Sequence, residues 1–264
     1  MAVITTAVKL YSGSERKVVA ALLSHIERLC SGLEVTLASA GLTDRGWVRI
    51  ELSGKDEEFT SELLRRQLGM AVNTFEDLVE GSVITGRIVD SGKIGYGLYV
   101  ETGSSQVGDA LYPLHEMRRQ LAGGRKLPAR EIISSLLLVD NLPLEVQVKR
   151  VDKPDRKIWV SLTPQQLRTL MRPLNDHLER LVVLGATRPS VIRSLEQSGH
   201  MRDTLGIESL GFLEHRIVCK EGTQAKGLVP EIGSHLETAT LFVMTRQKLS
   251  SFHNTEEAHS RKSL

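Results

Sequence analysis

Aromatic residues are scarce in this chain: among 264 residues there are 5 Phe, 4 Tyr and 2 Trp. The core must therefore be built mainly from aliphatic side chains, and any place where aromatics gather asks for an explanation. Cysteine is scarcer still. Cys30 and Cys219 stand far apart without neighbouring thiols, which argues against a disulfide framework or a cysteine-based zinc site and suits a reducing compartment. No charge sign is in excess, since 34 basic residues face 32 acidic ones, too near balance to mark a nucleic-acid binder by bulk charge. Long apolar runs are missing too: LLLV at 136–139 is far too short to span a bilayer, and MAVITTAVKLYSG lacks a basic leader before an apolar stretch. A cytoplasmic protein with no membrane partner is expected.

What is present is an ordinary globular composition, 41% hydrophobic and 25% charged, enough for one to three small domains. AVITTAVKLY reads as a strand, and Ser14 as the cap of a helix from Glu15 to Cys30 with Val18, Val19, Leu22, Leu23, Ile26 and Leu29 on one face. LEVTLASA and WVRIELSG alternate like two strands, and a second helix runs from about Asp56 to its stop at Gly69. The order βαββα predicts a small α+β domain, ferredoxin-like, over residues 1–78. It carries no catalytic pattern, and Trp47 reads as a packing residue.

From about residue 79 to 163 the period changes. SVITGRIVD and YGLYVET are strand-like runs hinged on SGKIG, and VQVKRVD and KIWVSL are two more hinged on KPDR. Short strands with glycine hinges predict a small closed barrel. Within GYGLYVETG, Tyr96 and Tyr99 are three apart, so strict alternation sends them to opposite faces. A bulge at Gly97 would return both rings to one outer face, where they form a stacking platform for unpaired bases. The plainer reading is that one tyrosine plugs the barrel.

Four pieces in order, G-S-V-I-T-G-R-I-V at 81–89, G-Y-G-L-Y-V at 95–100, A-L-Y-P-L at 110–114 and V-K-R-V-D with I-W-V-S-L between 148 and 162, resemble the OB-fold RNA-binding domain repeated in the bacterial ribosomal protein S-one. The resemblance implies a five-stranded OB barrel that binds single-stranded RNA through Tyr96 and Tyr99, through Asp152 with Arg156 or Lys157 at the last hairpin, and through a residue after the third strand. Many members carry histidine there; this chain has Pro113, flanked by Tyr112 and His115. The segment between the third and fourth strands is longer than usual and reads as a helix, a Gly123-Gly124 break and a second helix after Pro128. Its Arg118, Arg119, Arg125, Lys126 and Arg130, with Lys93 on the first hinge, are candidate phosphate contacts; the alternative is a soluble helical insertion.

Residues 164–250 read as a helical segment followed by a small α/β domain. Thr163 and Pro164 start a helix through TPQQLRTLMRPLNDHLERLVVLG that Pro173 kinks, TRPSVIRSLEQSG gives another, and three strands are visible between Ile207 and Met244. A plain helical spacer fits the two helices better than a helix-turn-helix element. KEGTQAKGLVPEIG echoes the glycine turn and strand of the barrel. The tail, 251–264, is polar and expected to be disordered. As a whole the order resembles an archaeal family of unknown function, the domain-of-unknown-function family 2110. Scattered histidines and the absence of a phosphate loop or nucleophile elbow point away from an enzyme, a metal or a cofactor. The expected function is non-catalytic RNA binding in translation or RNA metabolism. The alternative is an adaptor docking on a ribosome, a polymerase or an RNA-processing complex.

Overall fold

The computed structural model describes residues 1–11, 15–176, 178–249 and 252. Ser14 and almost all of the tail lie outside the described residues. The fold is mixed α+β and is organised around three sheets, one of them closed into a barrel.

The first sheet holds β1 (Ala2–Lys9), β2 (Val35–Leu42) and β3 (Trp47–Gly54) in the order β1-β3-β2, all antiparallel. Helices α1 (Glu15–Leu29) and α2 (Glu57–Leu68) cover it. The apolar stripe Val18, Leu22 and Ile26 of α1 meets Leu64 of α2 over Ile4, Val8, Ile50 and Leu52, so helical and strand periods agree on one core. Trp47 is fully buried, but away from this cluster, beside Ala7 and Ala71.

The barrel is formed by β4 (Val83–Val89), β5 (Gly97–Glu101), β6 (Asp109–Pro113), β7 (Pro143–Asp152) and β8 (Lys157–Leu162). It closes in the order β4-β5-β6-β8-β7, antiparallel throughout except for the β6/β8 pair. Ile88, Leu98, Val100, Ala110, Leu144, Val146, Val148, Ile158 and Val160 fill the interior with aliphatic carbon, as the shortage of aromatics requires. Helices α3 (Leu114–Leu121) and α4 (Ala129–Ser135) form the insertion between β6 and β7. Met117, Leu121, Ile132, Ile133 and Leu136 seat it on the barrel core.

The third sheet departs from expectation in two elements. After α5 (Pro164–Asp176), the stretch RLVVL is strand β9 (Arg180–Leu184) and not a continuation of the helix. All five of its residues are buried, so it shows the unbroken apolar run of a central strand, which periodicity cannot separate from a buried helix. Arg180 and Asp176 clamp the transition with two hydrogen bonds of 2.9 and 2.6 Å. Helix α6 (Arg188–Gln197), β10 (Thr204–Ser209) and β11 (Glu214–Cys219) follow. The second departure is α7 (Ala225–Ser234), where the glycine-rich segment was expected to be a strand. Ala225, Leu228 and Ile232 recur at helical spacing and are buried on one face. With β12 (Thr240–Met244) the antiparallel order is β10-β11-β9-β12, four strands instead of three. The barrel echo is therefore not structural. Phe252, in the tail expected to be disordered, is buried in the core beside Leu249. No helix among the described residues is long and apolar enough to cross a membrane.

One buried cluster joins the three sheets. Arg87 on β4 faces Glu214 on β11 with contacts of 2.7 and 3.2 Å, and both side chains are almost wholly buried. The guanidinium also donates to the Ala7 carbonyl of β1 and to the Asn141 carbonyl, each at 2.8 Å. Tyr11 donates its hydroxyl to Glu214 at 2.6 Å, and Arg87 lies 5.7 Å from the ring centroids of both Tyr11 and Trp47. Next to it, Glu101 on β5 accepts from the Trp47 indole at 2.7 Å and from Lys9 at 2.6 Å. Burial alone would pull Arg87 down, yet Glu214 holds it charged and raises it overall; burial and then Glu214 push the Tyr11 hydroxyl well above the ordinary tyrosine range.

Removing one member of such a pair strands the other charge in the interior, at a cost of about 3–5 kcal/mol. Glu214→Leu is therefore expected to lower stability by that amount in urea denaturation. The double replacement Arg87→Met with Glu214→Leu is expected to lose less than Glu214→Leu alone.

Candidate nucleic-acid interface

Tyr96 lies in the bend that precedes β5, and Gly97 is the first residue of the strand. The expected bulge is absent: Gly97↔Pro113, Leu98↔Tyr112, Tyr99↔Leu111, Val100↔Ala110 and Glu101↔Asp109 pair without a register shift. Gly97 serves a different need. A Cβ there would stand 2.6 Å from the Tyr112 carbonyl oxygen and 3.1 Å from Pro113 Cα, so glycine is what lets β6 approach. The tyrosines converge because Tyr96 stands outside the alternation of the strand. Its carbonyl accepts from Leu114 N at 2.8 Å, which anchors the bend to the start of α3.

The two rings meet edge to face, with centroids 6.4 Å apart and planes at 90°, and their hydroxyls lie 3.0 Å apart. Tyr96 is 56% exposed and Tyr99 partly so. The hydrogen bond with Tyr96, followed by partial burial, raises the Tyr99 pKa above the ordinary tyrosine value.

Cross-strand register extends this aromatic pair around the wall. Tyr99 is paired with Leu111, Leu111 with Trp159 in the parallel ladder, and Trp159 with Arg150. Directly paired residues share a face, and the neighbours on either side, Leu98, Val100, Ala110, Ile158 and Val160, are buried inside the barrel. The row Tyr99–Leu111–Trp159–Arg150 is thus the outer face. A register shift between Val148 and Arg150 adds one residue to β7, and Lys149 and Arg150 are both exposed there. The Arg150 guanidinium lies 5.0 Å from the Trp159 ring centroid. A cleft of about 310 Å³ opens at this end of the row, lined by Pro113, His115, Glu116, Lys149, Arg150 and Trp159 among others.

The remaining expected contacts divide. Tyr112 is corrected: its side chain is fully buried in the barrel, its hydroxyl donating to Gln120 at 3.0 Å, because β6 alternates Ala110 and Tyr112 inward. His115 is exposed at the cleft beside Glu116. Asp152 and Lys157 pair across the last hairpin, with Lys157 held by Asp155 at 2.7 Å. Arg156 is exposed but spreads its guanidinium 4.6 Å from the Phe75 ring centroid and donates to the Gln106 carbonyl. This hairpin stands where β6 begins, whereas Tyr96 stands where β6 ends, so the structure does not bring Arg156 to Tyr96.

Among the insertion cations Arg125 is corrected as well. It is buried, donates to the Ala122 and Phe252 carbonyls and covers the Phe252 ring at 4.9 Å, so it holds Phe252 against the core rather than facing solvent. Arg118 donates to the Leu127 carbonyl at 2.8 Å, tying the loop after α3, and Arg119 pairs with Glu116. Lys126 and Arg130 are exposed, and Lys93 pairs with Asp90 on the β4–β5 hinge. No group of three or more potential metal ligands is found among the described residues. Sequence reasoning missed Trp159, Lys149 and Arg150. The signal was available in KIWVSL, where an inward Ile158 and Val160 oblige Trp159 to face out.

The hydroxyl contact has a spectroscopic consequence. In an alkaline titration followed by tyrosinate absorbance, Tyr99 should ionise above the ordinary value of about 10. Tyr96→Phe should bring that transition back down while the buried Tyr11 and Tyr112 still ionise last.

A search of curated proteins finds no match to this chain. Among solved structures, the uncharacterized protein MJ1198 from Methanocaldococcus jannaschii is 18% identical with a TM-score of 0.24, over 33% of this chain and 96% of that one. The intact alpha subunit of aIF2 from Pyrococcus abyssi is 14% identical with a TM-score of 0.27, over 63% and 98%. A chain of the a/eIF2alpha–aDim2p–rRNA complex from Pyrococcus horikoshii is 16% identical with a TM-score of 0.26, over 46% and 64%. Family models match at far greater length and in chain order: the DUF2110 N-terminal domain over residues 3–74, the central domain over 78–172 and the C-terminal domain over 178–244. The three matches take in the first sheet, the barrel and the third sheet in turn, and the chain belongs to the DUF2110 family.

Proposed function

We propose that this chain is a non-catalytic, cytoplasmic RNA-binding protein of translation or RNA metabolism that holds single-stranded RNA on the outer wall of its barrel. The observation that carries the reading is the tyrosine pair. In a chain with only 4 tyrosines, Tyr96 and Tyr99 are the two whose rings reach solvent together, while Tyr112 is buried and Tyr11 is committed to Glu214. Adjacent aromatic rings on a barrel wall offer unpaired bases a π-surface without reading their edges, which implies low sequence specificity.

The barrel order, with its parallel pair between third and fifth strands and a helix after the third, supports assigning it as an OB barrel of the S-one type. The face used by such barrels lies on the second and third strands, here β5 and β6; Tyr99 stands on β5 and Tyr96 in the bend before it. We read the first sheet with its two helices as a ferredoxin-like module over residues 1–78, and residues 164–250 as a separate C-terminal module.

Base–aromatic stacking contributes roughly 1–3 kcal/mol per base. Tyr96→Ala combined with Tyr99→Ala should therefore weaken a fluorescein-labelled single-stranded RNA by about 2–6 kcal/mol in fluorescence anisotropy, and affinity should fall with added salt. Unchanged affinity in the double variant would overturn the proposal.

A further inference from the structure

The outer row does not end at the tyrosines. Two strands further round the wall, about 10 Å at the usual inter-strand spacing, it reaches Trp159, then Arg150 on the next strand, and the cleft that they share with His115 and Lys149. Trp159 is the second tryptophan of a chain that has 2, and the only one that reaches the surface, Trp47 being fully buried. An outward tryptophan on a barrel strand has no core to fill. Its partner on the neighbouring strand is a cation stacked on its face, and the extra residue in β7 places Lys149 next to it. The one acid lining the cleft, Glu116, is already paired with Arg119; just outside it Asp152 lies 3.8 Å from Arg150, and Lys149 donates to Gln147 at 2.6 Å, contacts that a phosphate would have to share. What the cleft offers is therefore a flat π-surface edged by positive charge, with a volume of about 310 Å³. Those features match a single nucleotide: a planar base against a ring or guanidinium plane, and a phosphate on a lysine or arginine.

We infer that the Trp159–Arg150 cleft is a second nucleotide subsite, which takes one unpaired base of the RNA with its phosphate on Lys149 and Arg150. This rests on the RNA-binding reading of the barrel wall. Leu111, between Tyr99 and Trp159 in the row, supplies the apolar floor over which the chain passes from one aromatic station to the other. The subsite thus extends the tyrosine platform sideways across β6 and β8 onto the stem of the last hairpin, where Arg150 stands two residues before Asp152.

The test uses the full chain, a labelled eight-nucleotide oligouridylate and intrinsic tryptophan emission. Trp47 is sealed beneath Arg87 with its indole N–H on Glu101, so a change in emission on adding RNA reports Trp159. Saturating RNA should quench emission in the native protein. Trp159→Ala should weaken binding roughly ten- to a hundredfold, the range of one stacked base, Trp159→Phe should restore most of the loss, and Arg150→Gln should both weaken binding and flatten its salt dependence. Quenching in the native protein needs no substitution and stands even if Trp159→Ala fails to fold. RNA that binds through Tyr96 and Tyr99 with emission unchanged, and equally well to Trp159→Ala, would overturn the subsite while leaving the platform intact. RNA that binds neither native protein nor any variant would overturn the RNA reading itself, and the subsite with it.

Discussion

The three sheets converge on one buried ion pair. Arg87 belongs to the barrel and Glu214 to the third sheet, and the carbonyl of Ala7 and the hydroxyl of Tyr11 bring in the first part of the chain. A charge taken out of water is tolerable only when its hydrogen bonds are supplied. Three separate sheets must therefore be in place before Arg87 and Glu214 are satisfied. Glu101 repeats the arrangement one strand away, bonded to Trp47 and Lys9. Together these contacts cover the part of the outer barrel wall around Arg87 and Glu101, and they leave the part around Tyr99 and Trp159 facing solvent.

That division explains which parts of the molecule were legible in the sequence. Strands of the barrel announce themselves by alternation and glycine hinges, and the helices of the first sheet by apolar residues at helical spacing. Strand β9 does not, because a strand buried on both faces loses its alternation. Helix α7 was hidden by its glycines and Pro230, although Ala225, Leu228 and Ile232 carry the right spacing. The ion pair was illegible for a different reason: its members stand 127 positions apart, and nothing local marks Arg87 or Glu214 as partners.

The site was partly legible. Tyr96 and Tyr99 do meet, but through a bend before the strand and not through a bulge within it; the glycine between them answers to the backbone of β6. The inward place of Tyr112 follows from the same alternation that puts Ala110 inside, which the family resemblance at Pro113 does not convey. The cations of the insertion show how a charge-rich segment misleads. Arg118 and Arg125 spend their guanidinium groups on carbonyls of their own loop and of Phe252, which is structural work that composition cannot distinguish from phosphate binding.

The right angle between the rings of Tyr96 and Tyr99 has a consequence for the shape of whatever lies on them. Bases in a duplex are parallel, one above the next. Two bases lying flat on perpendicular rings cannot be parallel, so a polynucleotide using both stations must turn sharply between them. If the wall holds RNA as proposed, it would discriminate by pliability, favouring strands free to bend at every sugar over rigid, stacked helices.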